Sequence, residues 1–514
     1  MSRVRLAALL SALSLAGDLG HGRPLEHTLR ATYLAVRLAG HVGLDEATVR
    51  DVLYIGLLQS VGCVGNAREL ADFLRTDDIA FKADIAGANY RSLSEQLRVV
   101  ARHAGSTGPL ALRPVAVVRA MTGPDRPRIA ARAQCEVAAL IARRVGLGVT
   151  VDAGLRAMPE RWDGAGLPDG LRGEAIPLTS RLVYLGAGID IFVNESDASS
   201  ATAEVAALSG TAFDPTLAHA FGDLVAERPP WATIDSPELW DEVLALEPAS
   251  EQIFVDDNSL DDVALAFADF ADIKSPFFVG HSRGVAEIAH TAARRLHLSE
   301  AEATDVRRAA LLHDIGRASV PNSILDKPRG LTPGERERVR MHAYYTERVL
   351  QRAPAFASCA MVAGAHHERL DGSGYPRGSR AVDLAIGSRI LAAADVAQAL
   401  KEARPYRLAY PADRAASILR EEARTGRLDG EVVETVLAVA SGDRPARVRA
   451  TGALSERELE VVRLLAGGHA NKEISRRLAI SENTVRHHLE SVYAKLDART
   501  RTGAVMQALA RGLL

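Results

Sequence analysis

Seven side chains suited to holding metal recur in one order between residues 281 and 395. His281 opens an amphipathic stretch. His313 and Asp314 stand together in LLHDIG, after an apolar run that would carry them into the interior. His342 follows Met341, His366 and His367 are adjacent in AHHERLDGSGYP, and Asp395 ends RILAAAD. Burying so many ionisable groups is costly unless they coordinate something. A mixed imidazole and carboxylate set suits Fe or Mn, with Zn also admissible, and is not a thiolate zinc site. Seven ligands exceed one tetrahedral ion, so two divalent metals are expected, with Asp314 as the natural bridge. Taken singly, residues such as His219, His290 or His297 read as ordinary surface histidines; the ordered set does not.

A second chemistry stands at the C-terminus. Ser455-Glu456-Arg457-Glu458 forms a capping box, with Leu459, Val462, Leu465 and Ala466 as the apolar stripe behind it and Gly467-Gly468 as the stop. Asn471 is expected to cap a short second helix and Ser481 a third, in which Val485, Leu489, Val492 and Leu496 face inward. That leaves Arg486, His487 and Glu490 on an outward face, the arrangement of a helix-turn-helix with its recognition helix. From Thr451 onward ten Lys/Arg stand against seven Asp/Glu, a local +3 within a chain whose net charge is −3. Lys472, Thr484 and Lys495 are expected phosphate contacts; Arg486 and His487 are placed for base edges.

The elements that must position these groups follow from an internal repeat. HTLRATYLAVRLAGHVGL from His27 lies over HSRGVAEIAHTAARRLHL from His281, an offset of 254 that also carries Leu57–Gly62 onto Leu311–Gly316. At an offset of 208, ERWDGAGLPDG from Glu160 lies over ERLDGSGYPRG from Glu368. The chain therefore holds two copies of one helical unit: copy one over 1–228 and copy two over 260–441. A proline-bearing connector separates them over 229–259, and a linker over 442–453 leads to the small helical domain at 454–514. Copy one keeps only His27 among the ligands. Gln59-Ser60 replace His313-Asp314, Gln134 replaces His342, Met158-Pro159 replace His366-His367, and Ala187 replaces Asp395. It keeps the scaffold and has lost the chemistry, as a sensor, a dimerisation module or a passive spacer would.

With 514 residues the chain should hold several domains, and Ala, Leu, Val and Arg against 5% aromatics favour helix, so the expected fold class is all-α. Near-equal Lys+Arg (62) and Asp+Glu (65) give no global pull toward nucleic acid or membrane. No apolar run reaches the ~20 residues of a membrane span, so a transmembrane protein is not expected. The start, Arg3 and Arg5 before LAALLSALSLAG, imitates a secretory signal but reads as a first helix through Leu6, Leu9, Leu10 and Leu13. Cys63, Cys135 and Cys359 form no CxxC, and a cytoplasmic protein is expected.

Residues 276–441 resemble an HD-GYP domain, a branch of the HD phosphohydrolase superfamily, through His313-Asp314-Ile315-Gly316, His366-His367-Glu368, Gly374-Tyr375-Pro376 and Arg404-Pro405-Tyr406-Arg407. The resemblance implies a binuclear iron or manganese centre on His281, His313, Asp314, His342, His366, His367 and Asp395 that hydrolyses cyclic di-GMP. It places Asp314 and Arg317 in the catalytic machinery, and Gly374, Tyr375, Pro376, Arg404, Tyr406 and Arg407 at the substrate. Two positions depart from the family: Arg317 stands where Lys is usual, and Leu408 where a basic residue is frequent. Phe277 replaces a Glu that recruits a third metal in some members, which implies two metals here. Residues 454–514 closely resemble the LuxR-type DNA-binding domain, which implies that Asn471, Lys472, Ser481, Thr484, Arg486, His487, Glu490 and Lys495 lie at DNA, bound as a homodimer. The reading is a transcription regulator joined to a cyclic di-GMP phosphodiesterase. Two alternatives remain: a metal- and nucleotide-binding sensor without turnover that gates DNA binding, or a stand-alone phosphohydrolase, which leaves the DNA reader unexplained.

Overall fold

The computed structural model describes residues 3–109, 111, 113–121, 125–441 and 454–514, and the linker expected over 442–453 lies outside them. The described residues are all-α except for one antiparallel pair of two-residue strands, in which Val4 faces Val255 and Arg5 faces Phe254. Two compact units divide at 259/260.

In the first unit the helix Leu6–His21 is buried along nearly its whole length, as its leucine pattern requires. It packs with His27–His41, Glu46–Leu58 and the turn Val61–Val64; Leu178–Glu195 packs on His27–His41, and Asp125–Arg144 on that turn. One stretch, Glu46–Val64, is long and apolar enough to cross a bilayer by length and composition, and 78% of it is buried in this core. The region expected as a connector is folded onto copy one. Glu247 is 2% exposed and accepts from Arg5 Nε (3.0 Å) and Tyr54 Oη (2.6 Å), while Arg50 pairs with Glu251 at 2.5 Å. Prolines mark where helices end; they do not decide whether the pieces between them find partners, and here three carboxylate contacts hold the segment down.

The second unit repeats the core with the lead-in helix Asp257–Asp272, then His281–Arg295, Glu300–Leu312, Pro333–Gln351, Ala357–Gly364 and Ile386–Lys401. One glycine explains why LLHDIG and its counterpart share their last residue. A Cβ on Gly316 would stand 2.2 Å from the His342 carbonyl oxygen, and one on Gly62 1.9 Å from that of Gln134. Only glycine lets the helix that carries His342 approach the turn that carries His313 and Asp314.

The C-terminal helices Glu456–Ala466, Asn471–Leu478, Glu482–Leu496 and Arg501–Ala510 close over Val461, Val462, Leu465, Ile474, Val485, Leu489, Val492 and Leu496. The capping box at Ser455 and Glu458 forms, and Ser481 Oγ accepts from Thr484 N at 3.0 Å. Asn471 is not the cap. Ala470 holds that place, and the Asn471 amide oxygen instead accepts from Arg501 Nη1 at 2.9 Å.

Candidate metal centre and DNA-binding face

Five helices and one 3-10 turn bring the seven expected ligands together. His281 is the first residue of its helix. His313 ends the helix Glu300–Leu312, and Asp314 begins the 3-10 turn after it. His342 projects from Pro333–Gln351, His366 and His367 follow Ala357–Gly364, and Asp395 lies within Ile386–Lys401. All are buried except His367, whose side chain is 20% exposed at the edge.

Asp314 sits at the centre, and its two oxygens face two different groups. Oδ2 lies 3.1 Å from His313 Nε2 and 3.8 Å from His281 Nε2; Oδ1 lies 3.4 Å from His342 Nε2 and 3.8 Å from His366 Nε2. Asp395 reaches His281 Nε2 at 3.2 Å with one oxygen and His367 Nδ1 at 3.8 Å with the other. The potential ligand atoms fall into two clusters, His281/His313/Asp314 and His342/His366/His367, each within 4.8 Å.

The outer contacts prepare four rings in the same way. Nδ1 of His313, His342 and His366 meets the carbonyls of Ala310 (2.7 Å), Val339 (2.5 Å) and Ala363 (2.6 Å), each three residues back, and His281 Nδ1 meets Glu402 Oε2 at 2.8 Å. Each contact fixes the tautomer that leaves Nε2 bare toward the centre. Both Asp314 oxygens and His313 Nε2 are buried and make no hydrogen bond. Buried polar atoms are nearly always partnered, so atoms that face other ligand atoms without a hydrogen bond call for an ion between them, although Asp314 Oδ2 also ion-pairs with Arg317. The donor set therefore fits two divalent ions bridged by Asp314.

Electrostatics support that use at His342, His366 and His367, whereas the neighbouring carboxylates, against burial, raise His313 and His281. Burial, reinforced by the neighbouring His313 and His342, pulls the His366 imidazole down to about 3, and burial likewise lowers His342 and His367, so these rings are neutral and able to ligate. Burial alone would raise Asp314, but the adjacent Arg317 guanidinium and the His313 ring hold it well below the usual carboxylate range. His281 goes the other way: burial opposes its protonation, yet Glu402 and Asp395 lift it to about 10.

The expected substrate residues part company. Tyr375 stacks on His367 with ring centroids 4.7 Å apart, at the mouth of the site. Gly374 is a scaffold position, since a Cβ there would meet Arg369 N at 2.4 Å, and its counterpart Gly166 is as tight (2.2 Å from Arg161 N). Pro376 and Tyr406 are exposed. The two arginines are not free phosphate clamps, as the motif had suggested. Arg404 is 8% exposed, pairs with Glu402 at 2.9 Å, donates to the Phe277 carbonyl and lies over the Phe278 ring. Arg407 donates to the carbonyls of Glu402 (3.0 Å), Leu408 (3.1 Å) and Ala399 (2.7 Å). Their forks are spent on closing the loop after the Asp395 helix. Arg317 ion-pairs with Asp314 and covers the other guanidinium's ring partner, Phe278, at 3.8 Å.

Two residues at the site have roles that the sequence reading did not assign. Glu402 orients His281, and no local signal marks it. Glu368 ties down the GYP loop by accepting from Arg377 N (2.7 Å) and Ser379 N (2.9 Å). A signal for Glu368 did exist: Glu160 survives in copy one although both preceding histidines are lost, and it holds Asp169 N (2.7 Å) and Leu171 N (3.0 Å) in the same way.

On the C-terminal domain Lys472, Arg486, His487 and Glu490 are exposed, and Thr484 is half-buried beside Ser481. Lys495 is committed: its ammonium bridges both Glu458 oxygens at 2.8 and 2.7 Å, tying the third helix to the first. It is a structural tie in place of the free phosphate contact expected.

Residues 266–432 match the HD domain family, and residues 452–508 match the bacterial regulatory proteins of the luxR family. A 3'3'-cGAMP-specific phosphodiesterase of Vibrio cholerae is 35% identical over 82% of this chain and 91% of its own length. A cyclic di-GMP phosphodiesterase of Thermotoga maritima is 39% identical over 30% of this chain and 43% of its own. A crystal structure of a cyclic GMP-AMP specific phosphodiesterase of Vibrio cholerae matches with a TM-score of 0.60 at 31% identity, covering 85% of this chain and 98% of that one.

Proposed function

This chain belongs to the HD-GYP family, whose relatives include cyclic-dinucleotide phosphodiesterases, and ends in a luxR-family DNA-binding domain; from that premise we propose that copy two hydrolyses a phosphodiester of a cyclic dinucleotide in a DNA-binding transcription regulator. The observation that carries the reading is Asp314, buried with its two oxygens aimed at two separate imidazole groups.

His281, His313, Asp314, His342, His366, His367 and Asp395 would hold two divalent ions, which would supply an acidified water and charge neutralisation at the phosphate. The chain's own residues supply the rest. The four Nδ1 contacts hold the rings rigid, so no reorganisation is needed as charge develops. Arg317 sets a permanent cation beside Asp314 where the phosphate charge grows. It cannot give up a proton, so the departing oxygen takes its proton from water. Tyr375, stacked at the mouth, is placed to meet a base or ribose face.

The sequence reading named cyclic di-GMP. The relative that spans both copies is named for 3'3'-cGAMP, whereas the Thermotoga cyclic di-GMP enzyme covers 30% of the chain, so 3'3'-cGAMP is the first substrate to test and cyclic di-GMP the second. The assay is chromatographic product analysis, run anaerobically with Fe or Mn. Linear dinucleotide or mononucleotides from either substrate support the reading, and binding without turnover of both overturns it. That outcome would favour a sensor, a reading to which the Arg317–Asp314 ion pair gives some ground.

The DNA reader is proposed to act as a homodimer in the cytoplasm, because one small helix-turn-helix covers too little DNA for tight specific binding. Coupling is tested by operator affinity of the metal-loaded full chain, with and without the nucleotide at fixed salt; equal affinities would mean two functions that merely share a chain.

A further inference from the structure

The helix Arg501–Ala510, fourth of the DNA reader, is buried on more sides than one neighbour can cover. Gly503, Ala504, Val505 and Met506 are successive buried residues, followed by Ala508 and Leu509. At about 100° per residue, four successive positions sweep ~300° of a helix surface, and a helix lying on one neighbour leaves part of that arc wet. Ala504, Val505, Ala508 and Leu509 belong to the reader's own core. Met506 is 1% exposed yet stands outside that core, about 100° round the helix from Val505.

The second neighbour is the segment that leads into His281. Ile273 and Val279, both half-buried, pack against the reader's core, and a Cβ on Gly280 would stand 3.8 Å from Leu509 Cδ2. Gly280 has a left-handed backbone (φ 79°), which does not by itself demand glycine, since Glu26 takes the same conformation (φ 70°) at the matching place in copy one. Glutamate at 280 would set its first side-chain carbon already in van der Waals contact with Leu509.

The opposite side of the same segment belongs to the metal centre. Phe278 stands edge-on to the His281 ring, with centroids 6.2 Å apart, and its own ring lies under the guanidinium groups of Arg317 (3.8 Å) and Arg404 (4.7 Å). The Phe277 carbonyl accepts from Arg404. Lys274, 1% exposed, donates to the Ala318 carbonyl at 2.9 Å, and its own carbonyl accepts from Asn322 Nδ2 at 2.6 Å. The segment thus has two working sides. Lys274, Phe277 and Phe278 hold the turn and the arginines around Asp314, while Ile273 and Val279 hold the reader.

We propose that the outward side of residues 273–280 is the docking surface for the helix Arg501–Ala510, and that occupancy of the metal centre sets how firmly the reader is held there. The proposal rests on the reading that copy two binds metal through His281. Docking leaves the DNA face open: Lys472, Arg486, His487 and Glu490 stay exposed. It therefore fixes the direction in which that face points and does not cover it. With metal bound, His281 is pinned, and Ile273 and Val279 stay aligned with the helix. Without it the end of the segment is released and docking weakens. Such coupling is reciprocal, so a docked reader also tightens metal binding by the same factor.

The test uses the full chain. Amide hydrogen exchange in Arg501–Ala510 is compared between the parent and Ile273→Glu, each after chelation and again with Mn. Ile273 lies apart from the metal ligands and is half-buried. Val279→Glu is the second variant should Ile273→Glu fail to fold, and exchange in Glu456–Ala466 checks that the reader's core is intact. With Mn, exchange in Arg501–Ala510 is expected about fivefold or more faster in Ile273→Glu than in the parent. Chelation should speed the parent by a similar factor and leave the variant unchanged. By reciprocity the variant's Mn affinity, read by competition with a chromogenic chelator, should fall by that factor too. Equal exchange in the two folded proteins overturns docking. Exchange that differs between them but ignores metal, in a parent shown to bind it, overturns the link. A parent that binds no Mn overturns the metal-centre reading and the link with it, and the comparison of parent with variant then decides docking alone.

Discussion

Replacing Glu402 tests whether the metal centre is prepared from outside the ligand set. Glu402 Oε2 lies 2.8 Å from His281 Nδ1, and its carboxylate is braced by Gln398 Nε2 (2.7 Å) and Arg404 Nη2 (2.9 Å). Glu402→Leu removes the acceptor that holds His281 in the tautomer presenting Nε2. Outer-contact losses of this kind cost ~10–100-fold in metal affinity, or about 1.4–2.7 kcal/mol. The Glu402 side chain is 20% exposed, which places the expected loss at the lower end, about tenfold. Glu402→Gln keeps an acceptor and loses only the charge, so its effect should be smaller. Copy one supplies the rescue. There the same contact is made from one helical turn earlier, by Asp190, which corresponds to Gln398. Adding Gln398→Asp to Glu402→Gln should therefore return affinity to within about threefold of the parent, since the new carboxylate again accepts from the ring's Nδ1 and fixes its tautomer. Competition with a chromogenic chelator reads the affinity, and circular dichroism checks the fold. Unchanged metal affinity in a folded Glu402→Leu protein would refute the reasoning.

Changing His313 and Asp314 together to Ala should sharply reduce bound metal, because one carboxylate serves both clusters, whereas Gln59→Ala with Ser60→Ala should leave metal content unchanged; elemental analysis distinguishes the two. Burial would raise the Glu458 carboxyl, but Lys495, Ser491 and the Ser455 backbone hold it down at about 2, so its contribution is complete above the usual pKa near 4.5 and fades as pH falls toward 2. Glu458→Gln should cost about 1–2 kcal/mol of local stability at neutral pH, read by amide exchange in Glu456–Ala466, and that difference should vanish by about pH 2. Arg486→Ala should cost about 1–3 kcal/mol at the preferred operator and relax its specificity, while Lys472→Ala should weaken all sequences alike and make the salt dependence shallower. Operator and random-sequence titrations at several salt concentrations check both.

The candidate ligands, their order, the loss of the same residue types in copy one and the helix-turn-helix were all legible in the linear chain. Each is a matter of residue type at fixed local spacing, which a repeat or a helical period reports directly. Ser455, Glu458 and Ser481 could be placed because a cap bonds within three residues; Asn471 missed by one position because Ala470 takes the extended backbone and Asn471 turns to Arg501. What could not be read was which partner a charged side chain chooses. Glu402 meets His281 across 121 residues, Lys495 meets Glu458 across 37, and Arg5 meets Glu247 across 242. Arg404 and Arg407 carry the donor geometry for phosphate in any context, yet the fold supplies buried carbonyls and a carboxylate first. A motif states what a side chain is able to bind. Only the packed chain decides what it does bind, because the desolvation cost of each buried charge is set by neighbours that arrive from distant segments.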